Sequence, residues 1–148
     1  MTIKNNMRQA IITKGKTSKN FKIPTEKDWG DFAEHVVSEL KPGDILALSG
    51  SLGAGKTTFV QALAGSLGIK KNIQSPTFAL VRSYPISGHG KLTRLLHVDA
   101  YRIDDERDLM ALDLDEELAD NETALVLEWP ENIKGWLQSH NPIKIKIS

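Results

Sequence analysis

The sequence predicts an α/β fold, a three-layer sandwich whose central sheet is mostly parallel and carries one antiparallel hairpin. Three observations support this class. A short apolar run at 44–49 leads into a glycine-rich loop and a helix, and a second apolar run at 123–127 suits another buried strand. Two strand-like runs, 79–84 and 92–98, flank a Gly-containing turn, which favours a hairpin. With 148 residues, one domain is the expected organisation.

The loop carries the most specific motif of the chain. Residues Gly50–Thr57 read Gly-Ser-Leu-Gly-Ala-Gly-Lys-Thr, which is a complete G-x-x-x-x-G-K-T phosphate-binding loop. Glycines let successive backbone N–H groups point at a polyphosphate, Lys56 reaches the β- and γ-phosphates, and the Thr57 hydroxyl holds Mg²⁺. The alternative, a simple Gly/Ser turn, does not explain the strand and helix on either side. We therefore expect a fold like that of the P-loop NTPases.

Local patterns define the remaining elements. Thr25 is the predicted N-cap of a first helix with Asp28 three residues later, and Lys41-Pro42-Gly43 ends that helix. Gly68 ends the helix that follows the loop. Further predictions are a short leading strand over 7–13, one or two short helices over 105–120, and a half-exposed final strand with Ile143, Ile145 and Ile147 on one face.

Composition narrows the class of protein. The absence of cysteine excludes disulfide scaffolds, thiolate zinc sites and cysteine nucleophiles, and no apolar run has membrane-spanning length. We expect a cytoplasmic protein without membrane association. Charge is uneven, because the first 25 residues hold six basic residues and no acid, whereas ten acids lie between Asp104 and Glu122. We treat 1–23 as a basic arm, either solvated or in contact with nucleic acid, and 24–148 as a single P-loop ATPase domain.

Work on a nucleotide also needs an acidic group near the metal and a group that senses the γ-phosphate. Glu128 ends the apolar run Ala124–Leu127, at the strand end where ligands gather in open α/β sheets. Asp99 ends another strand and is a second acidic candidate. Thr77, in Ser-Pro-Thr-Phe, lies where switch-type proteins place a sensing threonine. His97 is interpreted as a packed, hydrogen-bonded histidine.

Together these segments resemble one family. The motifs Leu52–Thr58, Ser75–Phe78, His97–Arg102 and Glu128–Glu131 look like those of the TsaE (YjeE) family, in order and over roughly residues 24–148. The resemblance implies a small P-loop ATPase required for making threonylcarbamoyladenosine next to the anticodon of tRNA. It implies work with TsaD-like and TsaB-like proteins, with tRNA as a further possible component of that complex.

The resemblance also implies roles for individual residues. Thr57 and Glu128 hold Mg²⁺, Lys56, Thr77, Asp99 and Glu128 serve ATP hydrolysis, and Trp129 lies near the nucleotide. Glu26, beside Thr25, matches the adenine side only weakly. The phosphates are wrapped by the residues that match the loop, which are Gly53, Ala54, Gly55, Lys56, Thr57 and Thr58.

Two other function classes remain open from the sequence. A small-molecule kinase would use the same loop but normally clamps its second substrate with several arginines, and beyond the loop the chain offers only Arg82, Arg94, Arg102 and Arg107. A nucleotide-gated binding module would not need the carboxylate of Glu128. No arginine finger is evident in cis, so we expect slow hydrolysis by the chain alone.

Overall fold

The computed structural model describes residues 8–50, 55–70, 73, 81–103 and 105–148, and within them a single seven-stranded sheet. The strands are β1 (Gln9–Lys14), β2 (Thr17–Lys22), β3 (Ile45–Ser49), β4 (Val81–His89), β5 (Leu92–Asp99), β6 (Thr123–Glu128) and β7 (Ile143–Ile147). The helices are α1 (Glu26–Glu39), α2 (Lys56–Ser66), α3 (Glu106–Met110), α4 (Leu114–Leu118) and α5 (Lys134–Gln138), with a 3₁₀ helix at Pro130–Ile133.

The sheet order is β2-β1-β7-β3-β6-β5-β4. Its four central strands, β7, β3, β6 and β5, are parallel, whereas β1 and β4 run against their neighbours. The α/β class and the β4–β5 hairpin are confirmed. The expectation of a mostly parallel sheet is partly wrong, because three of the six strand pairs are antiparallel.

Helices cover both faces of the sheet because the apolar side chains of the central strands alternate. Leu46 and Leu48 of β3 pack in one cluster with residues of α1 and α2, whereas Ile45 and Ala47 pack in a second cluster with residues of α3 to α5. Alternation of this kind is what a strand buried on both faces requires. The result is the predicted three-layer arrangement.

The N-terminal residues contain the predicted leading strand, which is β1, followed by a second strand, β2. Although 1–7 lie outside the described residues, β1 pairs with β2 on one side and with β7 on the other. Ala10 and Ile12 are buried in the same cluster as α1 and α2. Residues 9–22 therefore belong to the sheet, and the basic side chains of β2 lie on its exposed edge strand.

Local signals at the helix ends agree with the sequence. The Thr25 backbone N–H and hydroxyl both donate to Asp28 Oδ2, at 3.0 and 2.6 Å, which fixes the start of α1. Gly68 follows α2 with φ +73°, the left-handed conformation that favours glycine. The exposed lysines of β7 alternate with buried isoleucines, as predicted. The sequence did not predict β2, the 3₁₀ helix or α5.

Phe59 is the central side chain of the α1–α2 layer, and its replacement tests that layer. It is fully buried, and its ring centroid lies 5.3 Å from that of Phe32. Phe59→Ala should lower the free energy of unfolding by about 3–5 kcal/mol in urea titration, because it leaves a cavity. Gln61→Ala, an exposed change on the same helix, should stay within about 0.5 kcal/mol. Equal stabilities of the two variants would contradict this packing.

Candidate functional site

The candidate site lies where α2 begins. The parallel strands β3, β5 and β6 end at Ser49, Asp99 and Glu128, so these ends share one edge of the sheet. Gly55 caps α2 with φ +110°, and its carbonyl accepts the first helical hydrogen bond, from Phe59 N–H at 2.9 Å. A helix N-terminus carries partial positive charge and free N–H groups, which suit an anion.

Three of the predicted residues cannot be placed. Gly53 and Ala54 of the loop and Thr77 of the Ser-Pro-Thr-Phe segment lie outside the described residues. Their roles stay predictions.

Gly55 is packed too tightly to accept a side chain. A Cβ atom on Gly55 would lie 2.6 Å from Cζ2 of Trp29 and 2.8 Å from Nη1 of Arg8. The indole of α1 and the guanidinium at the start of β1 therefore both flank the N-terminus of α2. The sequence does not predict this pair, because no local pattern relates Trp29 and Arg8 to the glycine loop. The β1–β7 pairing, which no local pattern encodes, brings Arg8 here.

Lys56 contacts one ring of an aromatic pair at this edge. Its side chain is buried, 7% exposed, and Nζ lies 4.1 Å from the ring centroid of Trp129. Trp129 has φ +61°, a conformation uncommon for a bulky residue, and its ring centroid lies 4.9 Å from that of Tyr101. A cation over an indole face is attracted by the ring quadrupole. Backbone strain of this kind clusters at functional sites.

The second part of the site is a buried hydrogen bond between His97 and Glu128. The Nε2 atom of His97 lies 2.6 Å from Oε2 of Glu128, and both side chains are buried. An ionised carboxylate only accepts hydrogen bonds, so His97 donates from Nε2 to it. Within the described part of the chain Nδ1 of His97 has no hydrogen-bond partner. The prediction of a packed, hydrogen-bonded histidine is thus correct, and its partner is the principal acidic candidate.

Asp99 lies beside this pair. It is the register partner of Glu128 in the β5–β6 ladder, it is half-buried, and its Oδ1 accepts the Tyr101 N–H at 2.9 Å. The chain after it is held by Asn132, whose Nδ2 donates to the Ala100 carbonyl at 2.8 Å. The structure therefore brings both predicted acids together, and it adds Asn132, which no sequence pattern predicted.

The remaining predicted residues occupy the first turns of two helices. Thr57 is exposed and Thr58 half-buried on α2, directly after Lys56. Glu26 is exposed at the start of α1, three residues before Trp29 and so on the same face of that helix. Its predicted role on the adenine side stays a prediction.

The donor set suits Mg²⁺ held together with a nucleotide. No group of three or more His, Asp or Glu side chains that could hold a metal occurs among the described residues. Mg²⁺ in nucleotide sites is usually bound through one or two protein oxygens, with phosphates and waters as the other ligands. The Thr57 hydroxyl and the Glu128 carboxylate are oxygen donors of that kind.

The architecture and this edge define an α/β protein of the P-loop type. A model of the family described as threonylcarbamoyl adenosine biosynthesis protein TsaE matches residues 23–148. The chain therefore belongs to the TsaE family. In the described part of the chain no helix is long and apolar enough to cross a membrane.

Individual relatives agree with the family match. The chain is 46% identical over 102 residues to the tRNA threonylcarbamoyladenosine biosynthesis protein TsaE of Streptomyces coelicolor, covering 68% of this chain and 66% of that protein. It is 40% identical over 114 residues to the Aquifex aeolicus protein of the same name, with 76% and 77% covered. The TsaE protein of Bacillus subtilis is 39% identical over 64% of this chain, which spans only 55% of that relative's length.

A solved structure supports the same assignment. The crystal structure of YdiB from Bacillus subtilis superimposes with a TM-score of 0.57 and 30% sequence identity, covering 87% of this chain and 70% of that one.

The tight packing at Gly55 can be tested against a second glycine of the same helix. Gly55→Ala should lower the free energy of unfolding by about 1–3 kcal/mol, because the backbone has positive φ and the new methyl group meets the Trp29 ring. Gly65→Ala places its methyl group in open space and should raise stability by up to about 1 kcal/mol. Urea titration followed by circular dichroism measures both. An equal gain in both variants would refute the packing.

Proposed function

We propose that this chain is a Mg²⁺-dependent ATPase that serves threonylcarbamoyladenosine modification of tRNA next to the anticodon, acting on a complex of TsaD-like and TsaB-like proteins. One observation carries the nucleotide part. At a single edge of the sheet, buried Lys56 and buried Glu128 lie with the N-terminus of α2, where a triphosphate needs cations and N–H donors and its metal needs a carboxylate. The family and the names of the relatives support the modification part.

Each residue of the edge has a distinct task in this proposal. The N–H groups of the first turn of α2 and the ammonium of Lys56 bind phosphate oxygens, and Lys56 leaves the Trp129 ring to do so. Bound Mg²⁺, held by Thr57 and Glu128, would neutralise charge on the β- and γ-phosphates. His97 fixes one oxygen of Glu128, so the carboxylate keeps a single orientation. Asp99 orients the attacking water.

The arginines support an ATPase over a small-molecule kinase. Arg94 forms ion pairs with Glu117 and Asp120, and Arg107 pairs with Asp105. Two of the four arginines that follow the loop in sequence are therefore paired with acids of the chain itself, whereas a kinase would need such arginines to clamp its second substrate. ATP-dependent phosphorylation of a nucleoside, nucleotide or small acid by the purified chain would favour the kinase instead.

Lys56→Ala tests the nucleotide site and the cellular role together. Calorimetry should show Mg²⁺-dependent ATP binding by the wild type and at least about tenfold weaker binding by the variant, because a charge-assisted phosphate contact is lost. A reconstitution contains TsaD-like and TsaB-like proteins, ATP, threonine, bicarbonate, the enzyme that makes the activated intermediate, and tRNA. Modified adenosine should accumulate there only with intact Lys56.

Lys27→Ala removes an exposed lysine of α1 and provides the control for this experiment. It should bind ATP and support modification as the wild type does. Undiminished ATP binding by Lys56→Ala, or modification that proceeds without the chain, would refute the proposal.

His97→Asn tests whether His97 positions the Glu128 carboxylate or only stabilises the fold. If His97 holds Glu128 for the metal, the variant should need more Mg²⁺ for half-maximal ATP hydrolysis and should lose about 10–100-fold in kcat, with the affinity for ATP little changed. Glu128→Gln should likewise lower kcat and raise the Mg²⁺ concentration needed for half-maximal hydrolysis, with little change in the affinity for ATP. His89→Asn, in the β4–β5 hairpin, serves as the control and should leave kcat unchanged. A shift in ATP affinity alone, without a change in Mg²⁺ dependence, would contradict the role assigned to His97.

A further inference from the structure

A groove lies between α3, α4 and α5, on the face of the sheet opposite α1 and α2, and encloses about 750 Å³. We call it the α3–α5 groove. Its apolar wall comes from Leu109 and Met110 of α3, Leu114 of α4 and Trp136 of α5. None of these residues belongs to the nucleotide site.

The apolar wall is only partly used by the fold. Leu109 and Leu114 are buried, but Met110 is 78% exposed and Trp136 is half-buried. Met110 is thus one of two strongly exposed large apolar side chains in the described residues, the other being Tyr101. Methionine is unbranched and polarisable, so it adapts to varied apolar partners and is over-used at binding surfaces. An exposed methionine beside a tryptophan in a concave surface is typical of a contact site.

The rim of the groove is acidic. Asp113 and Asp115 line it and are exposed, whereas Asp105 is bound by the guanidinium of Arg107. A hydrogen bond from Arg107 lowers the pKa of Asp105, so that pair is satisfied. Asp113 and Asp115 give this rim its negative charge, which favours a cationic ligand.

The groove is preformed. Oδ1 of Asp115 accepts a hydrogen bond from Trp136 Nε1 at 3.1 Å and lies in hydrogen-bond contact with His140 Nε2 at 2.6 Å. The rings of Trp136 and His140 stack with centroids 4.1 Å apart. These contacts join α4 to α5 and hold the indole in place. Binding a ligand would therefore cost little conformational entropy on this wall of the groove.

We propose that the α3–α5 groove binds a segment of a partner protein that presents lysine or arginine side chains around one apolar side chain. The apolar side chain fits between Met110 and Trp136, and the cations face Asp113 and Asp115 on the rim. Nucleic acid is disfavoured because its phosphates would meet this acidic rim. A second copy of the chain is disfavoured because its basic strand β2 is exposed without an exposed apolar side chain to fill the groove.

Short connections along the chain link the groove to the nucleotide site. Tyr101, which packs on Trp129, lies five residues before α3 begins, and the 3₁₀ helix that follows Trp129 leads directly into α5. Both walls of the groove are thus continuous in sequence with residues that contact Lys56 or its aromatic partner.

The inference rests on the proposed function, which supplies the probe, a purified complex of TsaD-like and TsaB-like proteins. Calorimetry with the full chain should show binding that Met110→Ala weakens by about tenfold, because a central apolar anchor is lost. Met110→Leu should restore it. Asp113→Asn should also weaken binding and should flatten the dependence of affinity on salt, since the removed charge is one that salt screens.

Asp31→Asn, an exposed acid on α1 across the sheet, is the matched control and should bind as the wild type does. Variants that bind the complex as tightly as the wild type would overturn the groove assignment. A wild-type chain that self-associates, with self-association lost only in Met110→Ala, would overturn it too. A wild-type chain that binds ATP but not the complex also overturns it.

ATP binding and adenosine modification, measured on the same variants, separate the two proposals. Modification that depends on Lys56 but is untouched in every groove variant refutes only the groove. A wild type that supports no modification refutes the proposed function itself.

Discussion

The parallel pairing of β6 between β3 and β5 is the constraint on which the site depends. In this register Glu128 is the partner of Leu48 on one side and of Asp99 on the other, so three strands end at the same level of the sheet. The chain leaves β3 toward α2, β5 toward Tyr101 and β6 toward Trp129. A shift by one residue would turn Glu128 to the other face, away from His97. The chemistry of the edge is therefore a consequence of strand register.

Burial of charged groups at this edge has a cost that the fold offsets locally. Glu128 is 8% exposed and Lys56 7%, and an isolated buried charge costs several kcal/mol. The imidazole of His97 hydrogen-bonds to the Glu128 carboxylate, and the indole face of Trp129 contacts the Lys56 ammonium. A hydrophobic pair would stabilise the sheet at least as well. Retaining charges here makes sense for a site that must exchange these internal contacts for phosphate and metal.

The sequence largely predicted the individual helices and strands, but it did not predict which strands pair in the sheet. The cap at Thr25, the stop at Gly68 and the alternation in β7 all follow from residues within one turn or strand of each other. The parallel expectation extended this logic to the whole sheet and was partly wrong, because β1 and β4 run against their neighbours. Pairing between β1 and β7 joins residues separated by nearly the whole chain, and no periodicity records which strands meet.

The amino-acid sequence by itself determined the phosphate-binding loop, the helix it opens and the two acids at strand ends, since each depends on short-range geometry that few residue types satisfy. Only the tertiary structure decided that His97 holds Glu128, that Lys56 lies on Trp129, that Arg8 and Trp29 flank Gly55, and that α3 to α5 leave a groove with an acidic rim. Those contacts join residues distant in the chain, and they exist because sheet pairing and core packing fix where each side chain lies.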